Sequence, residues 1–199
     1  MDLRSNVTDT ALVLEGGGMR GAFTAGVISV LIEEEIFIDY VAAISAGTSN
    51  TANYLTRNPI RARKSFVDFA ADPMFGSWKT WIRGKGLFNA QYIYKETSYP
   101  GGPLPFDFDM FMANPAQFRI GAFDAALGET IYWSREDIKD QPDLMKKVRA
   151  SSSMPLVMPP VKMDNRLWVD GALGQGGGIP LPIAKQDGHT KFFVILTSY

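Results

Sequence analysis

The sequence contains no cysteine and only one histidine, His189, among its 199 residues. The first absence excludes disulfides and thiolate metal sites without fixing a compartment. The second leaves a single candidate for any imidazole base. Basic and acidic residues nearly cancel, 20 against 21, and no dense Lys/Arg block interrupts the mixture, so there is no electrostatic reason to expect a nucleic-acid partner. No run approaches the ~18 apolar residues that span a bilayer, and residues 1–10 are polar, without the apolar core of a secretion signal. A cytoplasmic location is therefore expected. Internal repeats are missing too, and the runs at 151–153 and 176–178 are too brief to act as linkers.

What is present is 46% apolar content, enough for one continuous core and too short for two ordinary ones, so a single domain over 1–199 is expected. Residues 11–14 form an apolar run that ends in Glu15 and three glycines, which predicts a buried strand entering a tight loop. A helix follows, with Phe23, Val27 and Leu31 on its apolar face, and residues 40–44 read as a second buried strand. Strand, helix, strand with this crossover predicts a parallel, right-handed βαβ unit. Ser45 stands at the end of its second strand, and a helix is expected from Gly47 to about Leu55.

Farther on, 61–71 reads as a helix turning Phe66, Phe69 and Ala70 inward. The stretch 74–94 holds Phe75, Trp78, Trp81, Phe88, Tyr92 and Tyr94 without clean periodicity. Segments 118–123 and 130–133 predict a hairpin and 143–151 a helix. Segments 161–163 and 167–169 predict a second hairpin that leads into Asp170 and Gly171, and 192–196 a final buried strand. The chain stops three residues later, abrupt for an α/β sheet, which reads as a small domain or a shortened chain.

Two motifs carry chemistry. Gly16, Gly17, Gly18, Met19, Arg20 and Gly21 lie between a strand and a helix, where close-approaching backbone and free helix N-terminal N–H groups bind negative charge, a phosphate or an oxyanion. The spacing also fits a dinucleotide fingerprint, with Asp39 as the acid, but Asp39 precedes its strand instead of following it. No Gly-Lys-Ser/Thr follows for a P-loop. The second motif is Ala43, Ile44, Ser45, Ala46 and Gly47, nearly the G-x-S-x-G of a nucleophile elbow, with Ala43 in place of the first glycine. Taken in isolation, Ser45 also reads as a helix cap. Parallel strands set both motifs at one sheet edge, so a nucleophile and oxyanion donors would converge, as acyl transfer requires. His189 precedes the strand at 192–196, at the wrong end to serve as base. Asp170 is the better base, beside the plain reading of Asp-Gly as a turn. An ordinary aspartate is a weak base, so it needs burial or direct geometry to the hydroxyl.

The run Gly16 to Gly21, then Ile44 to Gly47, then Asp170, Gly171 and Ala172, with the serines at 151–153 before Met154 and Pro155, resembles the patatin-like phospholipases, in their bacterial branch. The resemblance covers 12–196. It implies an α/β fold, a three-layer α/β/α sandwich with a mostly parallel central sheet, and a serine acyl hydrolase of lipid esters or phospholipids. It assigns Ser45 as nucleophile, Asp170 as base, and the N–H groups of Gly16, Gly17, Gly18 and Met19 to the oxyanion hole. Arg20 and Gly21 would support the loop or meet a headgroup, and Ala43 and Gly47 would shape the elbow. No metal or cofactor is implied. The partners implied are a lipid or acyl-ester substrate and transient contact with a membrane surface. Ala43, the glycines at 174–178 and the early C-terminus depart from the family pattern; they motivate a non-catalytic lipid- or acyl-binding protein as the rival, with a nucleotide-binding βαβ protein behind it. The aromatic stretch 74–94 reads either as an acyl pocket or as core packing.

Overall fold

The computed structural model describes residues 3–76, 81–82 and 86–198. The two leading apolar runs form adjacent parallel strands, β1 (Ala11–Leu14) and β2 (Tyr40–Ile44), with every residue buried. Strands apolar on both sides need cover on both faces. Leu12, Leu14, Val41 and Ala43 belong to the larger core, whereas Ala11, Val13, Tyr40 and Ala42 point into a smaller one on the opposite face. The larger core is closed by α1 (Gly21–Glu33), α2 (Ala46–Leu55), α3 (Pro59–Phe66), α4 (Phe108–Ala113) and α5 (Gln141–Ser151), and the smaller by α6 (Leu181–Gln186). Helix, sheet, helix is the α/β sandwich expected.

The remaining strands are β3 (Gln117–Asp124), β4 (Glu129–Trp133), β5 (Val161–Met163), β6 (Arg166–Asp170) and β7 (Phe192–Ile195). In the order β3, β2, β1, β7 four neighbours run parallel, while β4 and β6 are antiparallel to β3 and β5 is antiparallel to β6. β3 organises the sheet. Its residues Ile120 and Gly121 pair with both β2 and β4, and Ala122 to Asp124 pair with both β6 and β4. A strand has two edges, so β4 takes one alone and β2 and β6 share the other. They meet head-on: Ile44, the last residue of β2, is opposite Gly121, and Asp170, the last of β6, is opposite Ala122.

Three sequence expectations are corrected. The buried face of α1 is Gly21, Thr24, Ala25, Ile28, Leu31 and Ile32; of the residues expected inward Leu31 is buried and Val27 packs half-buried against the larger core, but Phe23 is 65% exposed. Small residues carry little hydrophobic weight in a periodicity count, yet they let helices approach closely; a Cβ on Gly21 would lie 2.7 Å from the Phe66 ring. The helix expected at 61–71 starts earlier, where the Asn58 side chain accepts the Arg61 N–H at 2.9 Å with Pro59 in the first turn. It gives way after Phe66 to a separate short turn, Phe69–Ala71; Phe69 is buried while Phe66 and Ala70 are half-buried. Finally, β7 pairs only with β1 among the described strands, so Phe193 and Val194 are exposed on what was expected to be a buried strand. Trp78, counted in the aromatic stretch, lies outside the described residues.

Candidate active site

At the end of β2 the chain reverses into α2 through Ser45, whose φ of 55° and ψ of −129° put a side-chain-bearing residue in a sparsely populated region. Such a conformation costs of order 1–3 kcal/mol and persists only where surroundings impose it. Here the Ser45 N–H donates to Ser151 Oγ at 2.8 Å, and its carbonyl accepts from the Thr48 N–H at 2.9 Å and from Thr48 Oγ1 at 2.7 Å. Close backbone approach does the rest. A Cβ on Gly47 would stand 2.6 Å from the Leu14 carbonyl oxygen, and one on Gly16 would stand 2.9 Å from Ser45 Cβ. Ala43 is tolerated because it lies within β2, buried between Leu14 and Ile120 of the neighbouring strands.

Asp170 reaches Ser45 because of the shared edge of β3. The Ser45 hydroxyl donates to Asp170 Oδ2 at 2.7 Å. Asp170 Oδ1 accepts the Ala172 N–H at 2.9 Å, so both carboxylate oxygens are held, and the Asp170 backbone N–H donates to the Ser153 carbonyl at 3.0 Å. Both side chains are buried. Burial pushes the Asp170 carboxyl above its ordinary value of 3.8, against the opposing hydrogen bonds from Ala172 and Ser45. A carboxylate with raised basicity, directly bonded to a serine hydroxyl, can accept that proton.

Beside them runs the glycine loop. Gly17 and Gly18 take φ of 150° and 57°, open to glycine, and a single tight turn (Gly18–Arg20) leads into α1. Among the described residues, the N–H groups of Gly17, Gly18 and Met19 have no acceptor. The N–H of Gly16 is different: it donates to the Gly178 carbonyl at 3.0 Å, which removes it from the oxyanion set expected from sequence. The loop is braced from behind. The one proton of the Thr197 hydroxyl is shared between the Gly16 carbonyl and the buried Glu15 carboxylate, which also accepts the N–H groups of Thr197 and Ser198 and the Ser198 hydroxyl. Burial works to raise the Glu15 carboxyl, but the bonds from Ser198 and Thr197 outweigh it and hold the group below 4.5. Gly21 packs beneath the Phe66 ring.

Ser45, Asp170, the glycine loop and Arg20 line one cavity of about 520 Å³. Much of its wall is apolar, including Phe66, Phe69, Phe75, Phe88, Met145 and Met158. The aromatic rings hold one another: Phe69 stacks on Tyr92 with centroids 5.4 Å apart, and Phe75 meets Phe88 edge-on at the same separation. His189 lies elsewhere, its ring 4.1 Å from that of Tyr40, the first residue of β2 and so at the opposite end of that strand from Ser45. Sequence reasoning missed Ser151, Gly178 and the clamp on Glu15. The serine run at 151–153 was visible, but nothing in it distinguished which hydroxyl would face the turn.

A strained serine bonded to a buried aspartate, beside unpaired loop N–H groups at the strand ends of an α/β sandwich, is the architecture of a serine hydrolase with a Ser/Asp dyad. The chain belongs to the patatin-like phospholipase family, which it matches over residues 12–184. It is 25% identical over 189 residues to the uncharacterized protein YjjU of Escherichia coli (strain K12), covering 94% of this chain and 51% of that protein. The crystal structure of VipD from Legionella pneumophila is similar in fold, with a TM-score of 0.52 at 13% identity over 82% of this chain and 46% of that one. The chain thus spans about half the length of both relatives. None of the described helices is long and apolar enough to cross a membrane.

Proposed function

We propose that the chain hydrolyses lipid acyl esters, with Ser45 as nucleophile and Asp170 as its general base. The observation that carries this reading is the 2.7 Å bond from Ser45 Oγ to Asp170 Oδ2 at an apolar cavity. Ser45 Oγ attacks the ester carbonyl carbon while its proton passes to Asp170 Oδ2. The oxyanion so formed is met by the N–H groups of Gly17, Gly18 and Met19, donors worth roughly 2.7–4 kcal/mol each where such groups have been removed. As the tetrahedral intermediate collapses, the carbon–oxygen bond to the alcohol breaks and Asp170 returns the proton to it. Water then attacks the acyl-serine, Asp170 takes its proton, and the acid leaves as Ser45 is reprotonated.

The wall of aromatic and methionine side chains supports an acyl chain as the group held in the cavity. Exposed Met19 in the loop, exposed Phe23 in the first turn of α1, and Leu156 next to the cavity-lining Val157 support transient contact with a lipid surface. Fluorophosphonate labelling of Ser45, together with turnover of p-nitrophenyl esters of increasing chain length and of phospholipids, tests the reading. Labelling of wild type but not of Ser45→Ala is expected; a folded wild-type protein that neither labels nor turns over any ester would instead favour an acyl-binding protein.

A further inference from the structure

The cavity that opens on Ser45 does not end in hydrocarbon. Along α2 its lining comes from Ala46, Ser49, Ala52 and Asn53, successive turns of one helix face. At a rise of 1.5 Å per residue, Asn53 lies roughly 12 Å from Ser45. There Arg61 and Ser65 join the wall. The buried Asn53 donates through Nδ2 to Ser65 Oγ at 2.9 Å and accepts from Arg61 Nη1 through Oδ1. Arg61 also donates through Nε to the Pro105 carbonyl at 3.1 Å and through Nη2 to that of Leu104 at 3.4 Å, and its guanidinium stands 4.9 Å from the centre of the Phe106 ring.

A guanidinium carries five N–H groups. Three are used here, which leaves one on each terminal nitrogen with no acceptor among the described residues. Its partners are neutral amide and carbonyl oxygens, and the carboxylates of Glu15 and Asp170 that line the same cavity belong to its catalytic end. Burial draws the Arg61 pKa down to about 10, so the group is still charged at neutral pH. A half-buried cation with no counter-charge among the described residues is unfavourable. An aliphatic side chain at this end would have extended the apolar lining.

We infer that Arg61, held by Asn53, is an anion-recognition subsite, and that the preferred ester carries a carboxylate or phosphate roughly 12 Å from the reacting carbonyl. The inference rests on Ser45 as the reacting atom. The anion has two sources: the far end of an acyl chain, or a phosphate on the alcohol. Either would meet the unused N–H donor on each terminal nitrogen, and a guanidinium suits planar or tetrahedral oxyanions.

The experiment compares kcat/KM within two pairs matched for length. One is p-nitrophenyl decanoate against the mono-p-nitrophenyl ester of decanedioic acid; the other is 6-hydroxyhexyl decanoate against its 6-phosphate. Wild type should prefer the anionic member of at least one pair by about tenfold or more, and Arg61→Met should bring that ratio close to one. Because a purely structural loss lowers both members alike, the ratio isolates recognition. The pair that responds identifies the source of the anion. No preference in either pair, or a preference that survives in Arg61→Met, overturns the inference. Should that variant fail to fold, Arg61→Lys, which keeps charge but loses the fork, is expected to forfeit most of the preference; a wild-type ratio in it has the same overturning force. If wild type turns over neither pair and Ser45 does not label, the hydrolase reading itself fails. Calorimetric binding of methyl decanoate against monomethyl decanedioate then decides the anion subsite, with equal affinities rejecting it.

Discussion

The Ser151 hydroxyl accepts the Ser45 N–H at 2.8 Å and donates in turn to the Gly121 carbonyl, so a single side chain of α5 ties the nucleophile turn to the middle of β3. All three residues are buried. Ser151→Ala would leave the N–H and the carbonyl without this partner, at about 1–3 kcal/mol for an unsatisfied buried group. The expected result is a lower urea midpoint together with a fall in kcat larger than any change in KM. An unaltered midpoint and rate would show that the turn holds without this tie.

The bond between Ser45 and Asp170 makes a contrasting pair of variants informative. Asp170→Asn keeps the shape but cannot take the hydroxyl proton, and should lower kcat by a factor on the order of 10²–10⁴ or more. His189→Ala, altered against the Tyr40 ring at the far end of β2, should leave ester turnover within about twofold in steady-state assays. Loss of turnover in the histidine variant with retention in Asp170→Asn would return the base to an imidazole.

Burial raises the pKa of Asp170, and the mechanism uses its ionised form, so activity should rise with pH on an acid limb centred above 3.8. Stability runs the other way. A carboxyl whose folded pKa exceeds its unfolded value contributes stability below the unfolded value that is lost as pH rises through the folded one. Asp170→Asn should therefore melt higher than wild type at neutral pH, with the difference shrinking toward acid. Equal melting temperatures at neutral pH would contradict the burial argument.

Gly47→Ala would place a methyl group 2.6 Å from the Leu14 carbonyl oxygen, which belongs to the rigid first strand. With backbone as the obstacle, the start of α2 must shift. Overpacking of this kind typically costs about 1–3 kcal/mol, and a displaced Ser45 should label more slowly with fluorophosphonate. A wild-type denaturation midpoint and labelling rate would refute the claim.

Much of this fold was legible because its central strands are continuous apolar runs and its turns carry glycine. The pairing of β1 with β2, both hairpins and the placement of Ser45 followed from those signals alone. The buried face of α1 did not, since Gly21, Thr24 and Ala25 pack by being small and leave no hydrophobic trace. Asp170 could be put at a strand end and named as the base for Ser45 from its sequence, but how it reaches Ser45 could not be read, because that contact depends on two distant strands sharing one edge of β3. Arg61 and Asn53 were unreadable for a similar reason: each is an ordinary helix residue until α2 and α3 are laid beside the cavity.

The head-on meeting of β2 and β6 makes the distance between nucleophile and base a property of hydrogen-bonding register. Slipping either strand by one residue along β3 would carry its terminal side chain about 3.3 Å and turn it to the other face of the sheet. Heat should consequently abolish activity only when the sheet itself melts, and a length change in the two-residue link between β5 and β6 should be tolerated where one inside β3 is not.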